Sequence, residues 1–420
     1  MVDNRKDVSA WMEFPWKRNL IVLWLGVFFC STAYSISIPF LPIFLETELG
    51  VTDHLEIWAG IAFGITFLAS ALISPFWGSL SDKYGRKPML IRSGFSLAVL
   101  YLVSYFVTDP YVFLVVRLCQ GLLAGFVPAS IALVGTNTPE HKTGYALGVM
   151  ATSGATGTII GPLIGGVVSY YFGNRNAFLF SALIVLIAAL IATIWAKEHN
   201  FNRSAKRSHV LDDIRQAASN RLFMSLLLLT GVANFSVMIL EPLITIYVKS
   251  MGVSTSNASL SAGIVFSAVG IATLIMAPRW GKIGSRIGFG KVLLIGLLGS
   301  GVGNMLQFFF TDIWGFGALR FGYGLFFAAV LPSINAIIVR VTPADFRGRA
   351  FGLNQSASQI ATMAGPVIGG LLGAWLDIRF VFIINGLLLL VCAFMVTRRS
   401  WEIPAAAAAE PVAKVRTEQP

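Results

Sequence analysis

The chain has 420 residues, of which 56% are hydrophobic and only 12% are charged, and its formal net charge is +11. A mean hydropathy of +0.75 excludes a soluble globular protein, because most of the chain cannot face water. The basic residues lie in short connections between apolar segments, so they indicate membrane orientation and argue against a nucleic-acid-binding surface.

Twelve apolar segments are each long enough to cross about 30 Å of hydrocarbon as a helix. Spans one to six are predicted at 20–45, 57–77, 89–108, 111–134, 144–171 and 177–196. Spans seven to twelve are predicted at 222–248, 259–280, 291–310, 313–340, 349–376 and 379–397. The sequence therefore predicts an all-α polytopic membrane protein with two six-helix bundles, at 20–196 and 222–397.

The segments outside the bundles indicate the orientation. Lys and Arg accumulate on the cytoplasmic side of membrane proteins, and the connections expected on the outer side hold only Arg175, Lys249 and Arg379. Both termini are therefore predicted to be cytoplasmic. The pattern gives an N-terminal arm at 1–19, a polar, basic cytoplasmic linker at 197–221, and a disordered tail at 398–420.

The two bundles are similar in sequence. At an offset of 203 positions, the residues that recur are Pro39, Pro75, Gly78, Arg117 and Gly121. After one inserted residue the offset is 204, and the residues that recur are Pro128, Pro139, Gly144, Gly148, Gly161, Pro162, Gly165 and Gly166. Because each half has an even number of spans, this duplication predicts two bundles related by an axis along the membrane normal.

The connection between spans two and three, residues 78–88, is predicted to be a short charged loop. Asp82 and Arg86 are four residues apart, so a helical turn would bring them together as an ion pair. Gly78 and Gly85 permit close backbone approach or a positive φ. The second copy, residues 281–291, has Ser285 in place of the acid.

A glycine ridge is predicted in span five, where Gly157, Gly161 and Gly165 recur every four residues and Pro162 bends the helix. The ridge permits very close helix packing. Its role is either packing alone or a pliable contact that can rock or seal.

Three charges lie inside spans, where each is costly unless it faces a cavity or a partner. They are Arg117, Arg320 and Glu241, all at similar depth below the outer surface. A carboxylate there could take up a proton from outside and release it inward. Alternatively, Glu241 is a hydrated acid near the outer mouth, and Arg117 is a structural arginine bonded to backbone carbonyls.

Several kinds of site are absent from the sequence. There is no G-x4-G-K-[ST] segment for ATP, and the histidines and cysteines have no metal-binding spacing. We therefore expect no cofactor, no metal, no ATP and no enzymatic activity.

Residues 78–88 match the pattern G-x-L-x-D-x-x-G-R-K, and span five carries G-x3-G-P-x2-G-G from Gly157 to Gly166. In these motifs the chain resembles the major facilitator superfamily, and within it the drug:proton antiporters of bacterial multidrug efflux. The resemblance implies a conformational latch that joins the halves near the start of span eleven, formed by Gly78, Asp82, Gly85, Arg86 and Lys87.

The resemblance also implies that spans one, four, seven and ten line a central cavity, which would bring Glu241, Arg117 and Arg320 to one chamber. The candidate substrate residues are Tyr34, Ser37, Gln120, Asn234, Phe235, Tyr323 and Asn335.

These expectations describe a proton-coupled exporter of varied lipophilic compounds, working as a monomer by alternating access in the bacterial inner membrane. Two alternatives remain open from the residues. One is a proton-coupled metabolite or sugar carrier, and the other is a membrane receptor that moves no solute.

Overall fold

The computed structural model describes residues 15–198, 220–342 and 346–398. Most of the predicted arm and linker, and nearly all of the predicted tail, lie outside the described residues. Within them every regular element is helical, and twelve helical segments are long and apolar enough to cross a membrane, as predicted.

Eight of the spans are single helices. They are span two, Leu55–Tyr84; span three, Arg86–Phe106; span five, Glu140–Phe172; span six, Asn174–Trp195; span eight, Thr255–Ile287; span nine, Phe289–Leu306, extended by a 3-10 turn at Gln307–Phe309; span eleven, Arg347–Trp375; and span twelve, Ile378–Thr397.

The other four spans are each broken into two helices. They are span one, Pro15–Ile36 and Leu41–Thr47; span four, Pro110–Leu123 and Phe126–Asn137; span seven, Arg221–Met238 and Glu241–Ser250; and span ten, Ile313–Phe327 and Val330–Val341. Helix one begins five residues before the predicted span.

The breaks fall at repeat-equivalent places, near 37–40 and 239–240, and at 124–125 and 328–329. In spans one and seven a proline, Pro42 or Pro242, occupies the first turn of the second helix, where a missing N–H costs no hydrogen bond. In span four Gly125 has φ +140°, which favours glycine. At the other breaks, residues such as Phe40, Leu240 and Ala328 keep right-handed helical angles, so the chain turns there without unwinding.

The prediction of a loop at 78–88 is wrong. Span two remains helical to Tyr84 and span three begins at Arg86, so the only interruption is Gly85, with φ +100°. The expected ion pair between Asp82 and Arg86 does not form, because this interruption separates them. Arg86 instead donates through Nη1 to the carbonyl oxygen of Ala132, at 3.0 Å.

The duplication appears in contacts as well as in sequence. Trp77 Nε1 donates to the carbonyl oxygen of Leu122, and 203 positions later Trp280 Nε1 donates to that of Leu325, both at 2.7 Å. Each tryptophan ties the second span of its half to the fourth. The two bundles therefore share an internal architecture.

Candidate functional site: the cavity between the halves

The two halves meet on one side of the molecule. We call the side where span one begins and span twelve ends the terminal side, and the other the opposite side. Gly166 in span five packs against Gly263 in span eight, where a Cβ on Gly263 would lie 3.3 Å from the Cα of Gly166. Gly60 in span two packs in the same way against Gly370 in span eleven. These equivalent contacts close the cavity on the opposite side.

An ion pair reinforces that closure. Lys249, at the end of span seven, lies 2.5 Å from Glu46, at the end of span one, and both side chains are about 30% exposed. The two residues are 203 positions apart, so they occupy equivalent places in the repeat. Equivalent residues touch only near the axis that relates the halves. The pair therefore lies over the centre of the cavity.

The terminal side is open by comparison. A Cβ added to Gly144 or Gly148 in span five, or to Gly352 in span eleven, would meet no atom within 4 Å. Between described residues, the side-chain bonds that join the halves involve Tyr34, Glu46 and Ser267, all toward the opposite side. The described conformation is thus open on the terminal side.

The predicted glycine ridge packs within its own half. A Cβ on Gly157 would lie 2.7 Å from the carbonyl oxygen of Phe28, and one on Gly161 would lie 2.8 Å from that of Thr32. Gly165 abuts the carbonyl oxygen of Ile36, the last residue before the break in span one. The ridge therefore supports the broken span, while the neighbouring Gly166 makes the contact between halves.

Glu241 is buried, with 3% exposure, at the first position after the break in span seven. Tyr34 of span one donates its hydroxyl hydrogen to Glu241 Oε1 across the interface, at 3.4 Å. Glu241 Oε2 has no hydrogen-bond partner among the described residues. The acid predicted from sequence is therefore enclosed between the halves, which disfavours its reading as a hydrated mouth acid.

Arg117 lies near this acid without touching it. It is 1% exposed, interacts electrostatically with Glu241 and Tyr34, and forms no ion pair with an acid in the described ranges. Its Nη1 donates to Gln120 Oε1 at 3.3 Å, and Gln120 Nε2 donates to Ser104 Oγ at 3.2 Å. Its Nε and Nη2 are unpartnered, so the reading as an arginine bonded to carbonyls is not supported.

Arg320 is not part of this group. It is 5% exposed, and its electrostatic partner is Tyr323 of its own span. Its guanidinium carbon lies 5.2 Å from the centre of the Tyr323 ring. The structure therefore brings Glu241 and Arg117 together and leaves Arg320 in a separate environment of the second half.

The predicted substrate residues divide into two sets. Ser37, Gln120 and Tyr323 are at most 2% exposed, and Ser37 donates to the carbonyl oxygen of Tyr34 in the break of span one. The more accessible set is Tyr34, Asn234, Phe235 and Asn335.

Sequence reasoning missed Asn354. Its Oδ1 accepts a hydrogen bond from Thr230 at 2.6 Å, and its Nδ2 donates to Asn335 Oδ1 at 3.3 Å. It thereby joins spans seven, ten and eleven beside the cavity. It lies in no recognised motif, so only its place in the fold identifies it.

Asp82 of the predicted latch is exposed and has no hydrogen bond or ion pair within the described part of the chain, so the latch is not engaged here. Behind it, Glu198 at the end of span six accepts hydrogen bonds from the backbone N–H groups of Arg86 and Lys87, at 2.9 and 3.0 Å. A carboxylate is favoured at a helix N-terminus. Gly85 makes room, since a Cβ there would lie 2.8 Å from Glu198 Oε2.

No three His, Cys, Asp or Glu side chains gather into a metal-binding group in residues 15–198, 220–342 and 346–398. The chemistry available at the interface is therefore that of one buried acid, one buried arginine and hydroxyl or amide groups.

Comparison with known proteins identifies relatives over most of the chain. The model of the Major Facilitator Superfamily matches residues 23–288 and 255–417. The multidrug resistance protein MdtG of Salmonella heidelberg is 38% identical over 373 residues, which is 88% of this chain and 92% of that protein. MdtG of Enterobacter lignolyticus is 37% identical over 379 residues, covering 89% and 90% of the two chains.

Solved structures share the fold. The nucleoside transporter NupG superposes with a TM-score of 0.75 at 14% identity, covering 90% of this chain and 99% of that chain. The D-xylose-proton symporter gives a TM-score of 0.69 at 17% identity, covering 90% and 96%. The predicted twelve-helix architecture in two pseudo-symmetric bundles is confirmed.

Proposed function

The chain belongs to the major facilitator superfamily, and on that premise we propose that it exports varied lipophilic compounds across the bacterial inner membrane in exchange for protons. It is a multi-pass membrane transporter by family and fold. The observation that carries the coupling is the buried Glu241, hydrogen-bonded by Tyr34 across the interface.

The terminal side is cytoplasmic in this proposal, because the connections there carry most of the Lys and Arg residues. Both termini are then cytoplasmic, and the described conformation faces inward. Substrate enters the open cavity from the cytoplasm or the inner leaflet. Rocking of the two bundles, acting within a monomer, then exposes it to the outside.

Partly exposed aromatic side chains of span one suit lipophilic substrates. Trp24 and Phe28 of span one stack with ring centres 5.6 Å apart, and Trp24 Nε1 donates to Thr152 Oγ1 at 3.0 Å. Flat apolar surfaces with few fixed polar groups accept compounds of different shape. The name of the relatives, multidrug resistance protein, supports the same substrate class.

Coupling requires that a proton bind the two conformations with different affinity. Glu241 belongs to the second half. Tyr34, which donates a hydrogen bond to it, and Arg117, which interacts with it electrostatically, belong to the first half. Gain or loss of a proton on Glu241 therefore changes the interaction between the halves. The acid takes up a proton when the cavity opens outward and releases it when the cavity opens inward.

The latch acts in the opposite phase. Asp82 is unpaired in the described part of the chain while the terminal side is open. When the terminal sides of the halves close, Asp82, supported by Arg86 and Lys87, meets the start of span eleven, where a helix N-terminus favours a carboxylate. Glu198 holds the start of span three in place for this contact.

The test is dye uptake into inverted membrane vesicles, with ethidium as a lipophilic cation and an acidic interior imposed. The wild-type protein should accumulate dye, and Glu241→Gln should abolish gradient-driven uptake at equal membrane abundance. Asp53→Asn, which removes an exposed acid from the opposite side, is the matched control and should retain uptake. Undiminished uptake by Glu241→Gln would refute the coupling role.

A further inference from the structure

Arg320 is a buried cation without a counter-charge. It is 5% exposed, no acid of the described ranges pairs with it, and its Nε and Nη1 have no hydrogen-bond partner. Burying an unpaired charge is costly, so buried arginines are normally paired with an anionic group. The structure therefore shows half of an ionic interaction.

The surrounding groups are unpartnered in the same way. Tyr323 Oη, Ser236 Oγ and Asn304 Nδ2 are all buried, and none makes a well-aligned hydrogen bond among the described residues, although Tyr323 and Ser236 lie close enough to interact with each other. Each of these residues is at most 2% exposed. All three groups can donate a hydrogen bond, as can the two guanidinium nitrogens.

These residues lie on neighbouring parts of spans seven, nine and ten. Tyr323 lies beside Arg320 and interacts with Ser236. A Cβ on Gly303, the residue before Asn304, would lie 3.5 Å from Tyr323 Cα. Asn304 is held in turn through its Oδ1, which accepts from Gln307 Nε2 at 3.1 Å.

The first half provides an internal comparison, because Arg117, Gln120 and Ser104 are the repeat equivalents of Arg320, Tyr323 and Gln307. There the arginine donates to an amide oxygen, the amide donates to a hydroxyl, and an acid lies nearby. In the second half tyrosine replaces the glutamine, and these links are not made. Each arginine keeps two unpartnered nitrogen atoms, but Arg117 donates to a side chain of its own span and lies near an acid, whereas neither holds for Arg320 within the described ranges.

We propose that Arg320, Tyr323, Ser236 and Asn304 form a binding site for a small monovalent anion. A buried positive charge without a counter-charge, with hydrogen-bond donors on the neighbouring spans, suits a halide or a carboxylate, whereas water would leave the charge uncompensated. The anion is either chloride or the carboxylate of an organic compound. The site is separate from Glu241, and the proposal does not depend on the direction or coupling of transport.

The experiment measures equilibrium binding of radioactive chloride to the purified full-length protein in lipid nanodiscs. Ionic strength is held constant with isethionate, a bulkier anion. Saturable binding is expected, together with a thermal midpoint that rises with chloride over roughly a hundredfold concentration range. Absence of saturable binding would overturn the proposal.

Variants locate the site. Arg320→Gln should weaken chloride binding at least about tenfold, the effect of losing a charge-assisted hydrogen bond. Arg320→Lys should retain part of it, and Tyr323→Phe should weaken it several-fold, so the test does not depend on one variant folding. Arg117→Gln, the repeat-equivalent control, should bind chloride like the wild type. Equal binding by folded Arg320→Gln, or loss of binding in Arg117→Gln alone, would contradict the assignment.

Competition by acetate identifies the anion class. If acetate displaces chloride from the wild type, the site accepts carboxylates and can hold an acidic group of a transported compound. If only halides compete, the anion is an inorganic counter-ion for Arg320. Both results support an anion site at Arg320.

Discussion

Replacing Gly263 by alanine should shift the protein away from the described conformation. The added Cβ would lie 2.5 Å from the carbonyl oxygen of Pro162 in the other half. Ordinary contacts require about 3.5 Å, so spans five and eight would have to separate by roughly 1 Å. Overpacking of this kind costs about 1–3 kcal/mol, which changes the equilibrium between conformations roughly 5- to 150-fold.

The assay is double electron–electron resonance between spin labels at Thr52 and Thr255, exposed residues on the opposite side of each half, in a cysteine-free background. Gly263→Ala should move the distance distribution to longer values. Gly281→Ala, on the same helix with no atom within 4 Å of its Cβ, is the matched control and should leave the distribution unchanged. Identical distributions for the two variants would refute the role of the glycine contacts in closing the cavity.

Three further predictions concern polar contacts. Charge reversal by Glu46→Lys or Lys249→Glu should open the opposite side in the same resonance assay, and the double reversal should restore closure. The interaction energy between the two side chains should be about 0.5–1 kcal/mol, because the pair is partly exposed. Glu198→Ala should destabilise the start of span three by about 1 kcal/mol, seen as faster hydrogen exchange of its first amides; unchanged exchange would show that the cap is dispensable. Hydrogen bonds from Arg379 hold the pKa of Asp377 below its ordinary value of 3.8. Because the pKa of Asp377 is lower in the folded than in the unfolded protein, its carboxylate stabilises the fold at pH values above the unfolded-state pKa. That stabilisation is lost as the pH falls through the folded-state pKa. The thermal midpoint of Asp377→Asn should therefore not show this fall in acid. The difference from the wild type should be about 1 °C or less, because the Asp377–Arg379 pair is exposed. A larger difference would show that another titrating group is responsible.

The twelve spans and their duplication could be read from the sequence, because hydrophobic length and recurring Pro and Gly positions are local signals. Helix ends were less accessible. The stretch 78–88 looks like a loop in composition, yet a single glycine with positive φ suffices to separate two helices, and the remaining polar residues stay helical. The breaks in spans one, four, seven and ten were not predicted, since the apolar sequence continues through each of them.

The buried charges were found from sequence, but their grouping was not. The family resemblance implied one chamber for Glu241, Arg117 and Arg320, but knowing which spans line a cavity does not say which face of a helix a residue occupies. In the structure Arg117 lies within electrostatic range of Glu241, whereas Arg320 interacts with Tyr323 of its own span. The pair Glu46 and Lys249 had a usable signal, because a repeat offset of 203 aligns opposite charges at equivalent positions.

That pair also bears on how the chain arose. In a symmetric homodimer of six-helix subunits, a residue on the two-fold axis meets its own copy, so a glutamate there would face a glutamate. Opposite charges can occupy the axis only when the two copies differ in sequence, as the two halves of this chain do. Divergence of the two halves thus allowed an attractive contact at the centre of the closed side, which no pair of identical subunits could form.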